Sequence, residues 1–287
     1  MTEKAPSTPA WGRRFRRMAA LAAFAYAVWC VTVYAAQSRL LFMASVAGPG
    51  LSDPIIAAEP GLERHWIPHA DGVRTEAWLV HAPERPAKGL ACFLHGNAEL
   101  IDDALHEARE WNARGFDVLL PEYRGYGRTP GSPSQAAIVL DVTDAIESVM
   151  AAGEHDRRDD RRDDRLILHG RSLGTGVAAQ VAVKQGSRLA ALVLESPFLS
   201  VASFAWSYGV PPALVTNPFR TDEALPRIKA PILILHARGD EIVPISHGRE
   251  LATASGATLV ELDGSHNSGL SQQREYWLAI DEHVLAK

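Results

Sequence analysis

From Met18 to Ala36 the chain runs for nineteen residues without a charge, and beyond Leu90 short apolar runs alternate with longer amphipathic stretches. At 1.5 Å rise per residue the first pattern predicts a helix about 28 Å long, close to the thickness of a bilayer's hydrocarbon core. The second predicts strands at Leu90–Leu94, Asp117–Leu120, Leu166–Leu168, Ala190–Leu194, Ile232–Leu235 and Thr258–Leu262. Helices are expected near Asp102–Ala113 and Gln135–Ala152, from Leu173, over Ser246–Ala252 and over Ser271–Ala286. Two earlier strands, Glu63–Ile67 and Val73–Val80, meet at the turn Ala70-Asp71-Gly72 and read as an antiparallel pair. Continuous apolar strands separated by helices mean a mostly parallel sheet covered on both faces. The expected fold class is therefore α/β, a mostly parallel central sheet flanked by helices, preceded by a transmembrane helix. The expected organisation is a basic N-terminus (1–17), an anchor (18–36), a linker (37–61) and a globular domain (62–287) with a short flap near 196–230.

Charge changes the picture at the N-terminus. Arg13, Arg14, Arg16 and Arg17 precede the apolar run and only Arg39 closely follows it, so the positive-inside rule puts the N-terminus in the cytoplasm and the globular domain across the membrane. The competing reading is a signal peptide cut near Val33-Tyr34-Ala35, which would leave a secreted or periplasmic protein. The run is longer than a usual signal core, and the apolar Leu40–Met43 follows it closely, which favours the anchor. The formal charge of −5 gives no support for nucleic-acid binding. The two cysteines, Cys30 in the apolar run and Cys92 in a strand, are not expected to pair. In Asp156–Arg165 a four-residue charge repeat sets like charges at i and i+4, which opposes a helix and predicts a solvated loop without a catalytic role. No zinc, dinucleotide or phosphate-loop signature is present.

The candidate chemistry centres on Leu166–Gly176, LILHGRSLGTG. A strand, a tight Gly170-x-Ser172-x-Gly174 turn and a helix follow one another, the context in which that motif presents a nucleophilic hydroxyl. A central Ser on so sharp a turn needs a strained backbone, and side chains two positions either side would collide, hence glycines. A chain of this length matches the motif by chance about one time in ten, so three other segments matter. Leu90–Leu94 ends in His95-Gly96-Asn97, a loop in which the backbone amide of Asn97 is a candidate donor to an oxyanion. His95 itself reads as a structural loop residue. Ile232–Leu235 leads to Asp240, a carboxylate suited to orienting an imidazole; Glu241 is the neighbouring alternative. Thr258–Leu262 leads to His266, the one histidine after Asp240 expected on a loop beyond a strand, whereas His247 and His283 fall on helices. A base within reach of the serine is what nucleophilic catalysis requires.

These stretches, with QSRLLFM, FLHGNAE, PEYRGYGRTPGSPS, LESPFLSV, LHARGDEIVP and GSHNS, run from Gln37 to Ser268. Through them the chain resembles the α/β-hydrolase fold, and within it the serine hydrolases that carry a single N-terminal membrane segment. The resemblance implies Ser172 as nucleophile, Asp240 as acid, His266 as base, and the amides of Asn97 and Leu173 as oxyanion hole. Glu122 stands where the family commonly has Asp, in a stretch expected to shape the site's edge. The resemblance also implies two-step acyl transfer, which needs no metal or organic cofactor. Small-molecule or lipid acyl esters or thioesters are the expected substrates; a peptidase and a non-catalytic, membrane-tethered binding protein are the alternatives. In related hydrolases a lid occupies the place of Leu194–Pro231. Here that stretch is short and holds Phe198, Phe204, Trp206 and Tyr208, which suit an apolar acyl group or simply pack on the core.

Overall fold

In the computed structural model, residues 10–48, 50–152 and 165–286 are described. The charged run expected as a loop lies outside them except for Arg165, as do the first nine residues. Eight strands form one sheet in the order β1-β2-β4-β3-β5-β6-β7-β8. They are β1 (Leu62–Pro68), β2 (Arg74–Val80), β3 (Leu90–Leu94), β4 (Asp117–Pro121), β5 (Leu166–Arg171), β6 (Leu189–Glu195), β7 (Ile232–Ala237) and β8 (Thr258–Leu262). Only β2 runs against its neighbours; every pair from β4 to β8 is parallel.

The alternation of side chains along a strand divides the core into two layers. Leu90, Cys92 and Leu94 of β3 and Leu192 and Leu194 of β6 enter one layer, under helices Gln135–Ala152, Leu173–Gln185 and Ile245–Ser255. Ala91, Phe93, Ala191 and Val193 enter the other, under Leu105–Ala113 and Arg274–Ile280. Buried on both faces, these strands have no polar side to show, and this explains their continuous apolar sequences.

The N-terminal helix, α1, spans Ala10–Leu41 and by length and composition could cross a membrane. Its apolar residues, among them Leu21, Phe24 and Val31, are exposed. The segment expected as a linker, 37–61, holds two buried side chains, Phe42 and Ile56, among its described residues. Helix α1 continues to Leu41, and Phe42 is buried with its ring edge-on to Phe219 at 6.3 Å. Short helices follow at Ala44–Ala47 and Asp53–Ala57, the second with Pro54 in its first turn and Ile56 buried beneath it. Asp102, in the 3₁₀ turn Ile101–Ala104 beyond β3, accepts a hydrogen bond from the Leu51 amide and ties this segment to it. Phe42 and Ile56, the buried apolar groups of this segment, supply the burial that makes docking favourable. The single terminal helix expected over Ser271–Ala286 divides into a turn at Leu270–Gln272, the helix Arg274–Ile280 and a wider π turn at Asp281–Leu285.

Candidate active site

Ser172 sits between β5 and the helix Leu173–Gln185, with φ +49° and ψ −115°, a conformation that side chains rarely adopt. Its amide donates to the Glu195 carbonyl at 2.9 Å, tying the turn to β6. The flanking glycines answer to space rather than to φ. A Cβ on Gly170 would lie 2.4 Å from the Gly174 carbonyl oxygen, and one on Gly174 would lie 2.0 Å from the Leu94 carbonyl oxygen.

Three loops at the carboxyl ends of β5, β7 and β8 bring Ser172, Asp240 and His266 together. The Ser172 Oγ lies 3.0 Å from His266 Nε2, and His266 Nδ1 lies 2.8 Å from Asp240 Oδ2. The other oxygen of Asp240 accepts from the amides of Ile242 and Val243 at 3.0 and 2.7 Å, which fixes the plane of the carboxylate. Burial alone would raise the Asp240 pKa. Hydrogen bonding with His236, His266, the Val243 amide and Ser196 outweighs it and holds the carboxyl well below the usual range. Glu241 plays a different part: its carboxylate accepts from the backbone amide of His266 at 3.2 Å and so holds the loop, not the ring. His247 accepts from the Leu199 amide and stacks on Phe204, and His283 lies in the terminal π turn.

The loop after β3 is held from several sides. The Asn97 side chain accepts from the Met43 amide and from the Tyr126 hydroxyl, both at 2.9 Å, and its amide group donates to the Leu41 carbonyl. Gly96 donates to Glu99, whose second oxygen meets Arg171 at 3.0 Å. His95 is buried, with Nε2 2.9 Å from Glu122 and Nδ1 2.9 Å from the Gly96 carbonyl. Burial opposes its protonation, but the Glu122 charge prevails and its pKa is raised. Tyr123 donates to the His95 carbonyl. The PEYRGYG stretch therefore builds the edge of the site from beneath, and the longer side chain of Glu122 reaches both His95 and the amide of Tyr123.

A cavity of about 630 Å³ opens beside Ser172, Leu173, Asn97 and His266. Phe198, with Phe204, Tyr208 and Val210 from the stretch of 3₁₀ turns between Val201 and Leu214, forms one side. Val33, Gln37, Leu40, Leu41 and Met43 form another. Sequence reasoning did not find this second side, because nothing local marks the end of an apolar helix as a cavity wall. It also passed over Glu99, although a carboxylate two residues after Asn97 was a visible signal. Among the described residues no His/Cys/Asp/Glu group is arranged to hold a metal ion.

Behind β5 lies a buried polar chain that the sequence did not announce. Trp111 donates to His169 Nδ1 at 3.1 Å, His169 Nε2 lies 2.7 Å from the Tyr276 hydroxyl, and that hydroxyl donates to Glu195 at 2.8 Å. Burial pushes His169 down to about 3 and Glu195 up to about 7, the latter opposed by Arg171 and Tyr276 and assisted by Glu107 and Glu99. A carboxyl whose pKa is raised on folding contributes stability that is complete below its usual 4.5 and is lost as pH rises through about 7. That contribution is on the order of 3 kcal/mol. Glu195→Gln should thus flatten the fall in melting temperature between about pH 5 and 8 by several degrees, measured by thermal melts of the two proteins across that range.

Among families of known proteins, the one described as serine aminopeptidase, S33 (Hydrolase_4), matches residues 85–216. The Arabidopsis thaliana alpha/beta hydrolase domain-containing protein WAV2 is 30% identical over 267 residues, covering 84% of this chain and 85% of its own. The lysophosphatidylserine lipase ABHD12 of Macaca fascicularis is 28% identical over 207 residues, covering 65% of this chain and half of its own. Among solved structures, an alpha-beta hydrolase from Vibrio vulnificus superposes with a TM-score of 0.69 at 19% identity, covering 86% of this chain and 92% of that one.

Proposed function

The chain belongs to the α/β-hydrolase family, and from that premise we propose that it is a membrane-anchored serine hydrolase of carboxylic esters or thioesters. One observation carries the reading: the hydrogen-bonded series Ser172–His266–Asp240 ends in a cavity whose walls are mostly apolar. In the proposed reaction His266 Nε2 takes the Ser172 proton as Oγ attacks the acyl carbon. The amides of Asn97 and Leu173 receive the oxyanion. The imidazolium, stabilised by Asp240, then protonates the leaving alcohol or thiol, and the same ring activates water to release the acid.

A serine peptidase is the second reading, favoured by the description of the matching family. An aminopeptidase needs a free carboxylate to hold the substrate's ammonium. Among the described lining residues Glu99 is the only acid, and it already bridges the Gly96 amide and Arg171. This disfavours the peptidase. Localisation follows from α1 and the arginines before it: an N-terminus in the cytoplasm and a hydrolase domain outside it.

A fluorophosphonate probe tests both parts in one experiment. Wild type should label, Ser172→Ala should not, and the labelled band should stay with membranes through an alkaline carbonate wash. Folded but unlabelled wild type would favour a non-catalytic binding protein, and release by the wash would remove the anchor.

A further inference from the structure

One face of α1 is turned toward the hydrolase domain. Trp29, Val33, Gln37 and Leu40 fall on a single helical stripe. Trp29 Nε1 donates to the Tyr208 carbonyl at 3.0 Å. Gln37 is held twice: its amide donates to the Leu214 carbonyl at 3.1 Å, and its carbonyl accepts from the Thr216 amide at 2.8 Å. All three partners belong to the flap segment. The helix and the flap are thus fastened to each other on one flank of the cavity that holds Ser172.

Fastened in this way, Val33, Leu40 and Leu41 become part of the cavity surface itself. The rim beside them is apolar and open, with Leu40 61% and Ile242 52% exposed. Leu41 and Met43 also grip the Asn97 side chain, so the same helix end that lines the cavity steadies the loop carrying the Asn97 amide. An apolar chain lying along α1 would meet no polar barrier between the helix surface and the cavity. Removal of that wall would leave the cavity open to water on the side where the reacting ester must be sequestered.

We propose that the last three turns of α1 select the acyl chain: the proposed anchor is also the specificity wall, and the substrates are esters of extended apolar chains held in the same bilayer. This rests on the serine hydrolase reading above. The side chains at positions 33 and 40 limit the space beside Ser172, so their volume sets which chain length fits.

The test uses the full-length protein in phosphatidylcholine vesicles with 4-methylumbelliferyl esters from butyrate to palmitate. Leu40→Trp and Val33→Trp should lower the laurate-to-butyrate ratio of kcat/KM about tenfold, mainly through KM for laurate, and Leu40→Ala should move the preferred chain toward longer acids. Val31→Trp, on the opposite face of the helix and exposed, should keep the wild-type ratio. A protein that is merely destabilised would lose all esters in parallel, whereas opposite shifts from the two Leu40 variants require a wall. If both tryptophan variants hydrolyse esters with the wild-type profile, the wall is disproved and the hydrolase reading stands. If wild type turns over no ester and takes no fluorophosphonate, the hydrolase reading fails and this inference falls with it.

Discussion

Asp240→Asn is expected to lower kcat/KM on a short-chain ester by about 10⁴-fold while leaving the protein folded. The asparagine keeps an oxygen for the Ile242 and Val243 amides, so the turn after β7 survives. What it cannot keep is an acceptor-only group facing His266 Nδ1, now 2.8 Å away. An amide nitrogen there favours the tautomer protonated on Nε2, the atom that must accept the serine proton. The loss should fall on kcat rather than on KM, since Asp240 does not line the cavity. Glu241→Gln provides the contrast. Its partner is a backbone amide, which a neutral side-chain oxygen can still satisfy, so a loss below about tenfold is expected. Steady-state kinetics on the two variants decide between the adjacent acids; a larger loss at Glu241 would reverse the assignment.

The second large effect is on stability. Gly174→Ala should cost at least about 3 kcal/mol, the upper part of the range for overpacking a core, and lower the melting temperature by about 6–10 °C. The added carbon would meet the carbonyl oxygens of Leu94 and His95 at 2.0 and 2.7 Å. Both are main-chain atoms at the end of β3 and cannot rotate away, so the helix must withdraw from the sheet. Gly256→Ala is the control. Its added carbon meets nothing within 4 Å, and the penalty comes only from its φ of +72°, on the order of 1 kcal/mol. Thermal melts of both proteins beside wild type separate a steric cost from a conformational one. Activity should fall further for Gly174→Ala than stability alone predicts, because Gly174 follows Leu173 and His95 lies two residues before Asn97, the two proposed oxyanion donors.

The sheet was readable because its strands are short, apolar and separated by helices; β3 and β8 begin and end where the pattern put them. Ser172, Asp240 and His266 could be picked out from sequence because each ends a strand-and-loop unit whose direction a parallel sheet makes common. The helix Gln135–Ala152 likewise followed from its periodicity. What sequence reasoning missed depends on distant partners. Phe42 looks like the tail of an apolar run, yet its ring is buried against Phe219, far along the chain. Glu195 ends an ordinary strand, and only its burial under remote segments makes it an ionisable group of unusual behaviour, a shift that Arg171 and Tyr276 oppose. Gln37 is a polar residue after a hydrophobic segment until Leu214 and Thr216 arrive beside it. Local patterns report which face is apolar; they carry no information about which remote segment will cover it.

The docking of Phe42 against Phe219 has a mechanical meaning. On the anchored reading, the hydrolase domain does not swing on a slack leash above the lipid but stands on a stiff mast whose top is bolted into it. The altitude of the reactive serine over the headgroups is then set by how deeply α1 sits, so a thicker or thinner bilayer would raise or lower the cavity's mouth against the reservoir of chains it draws from.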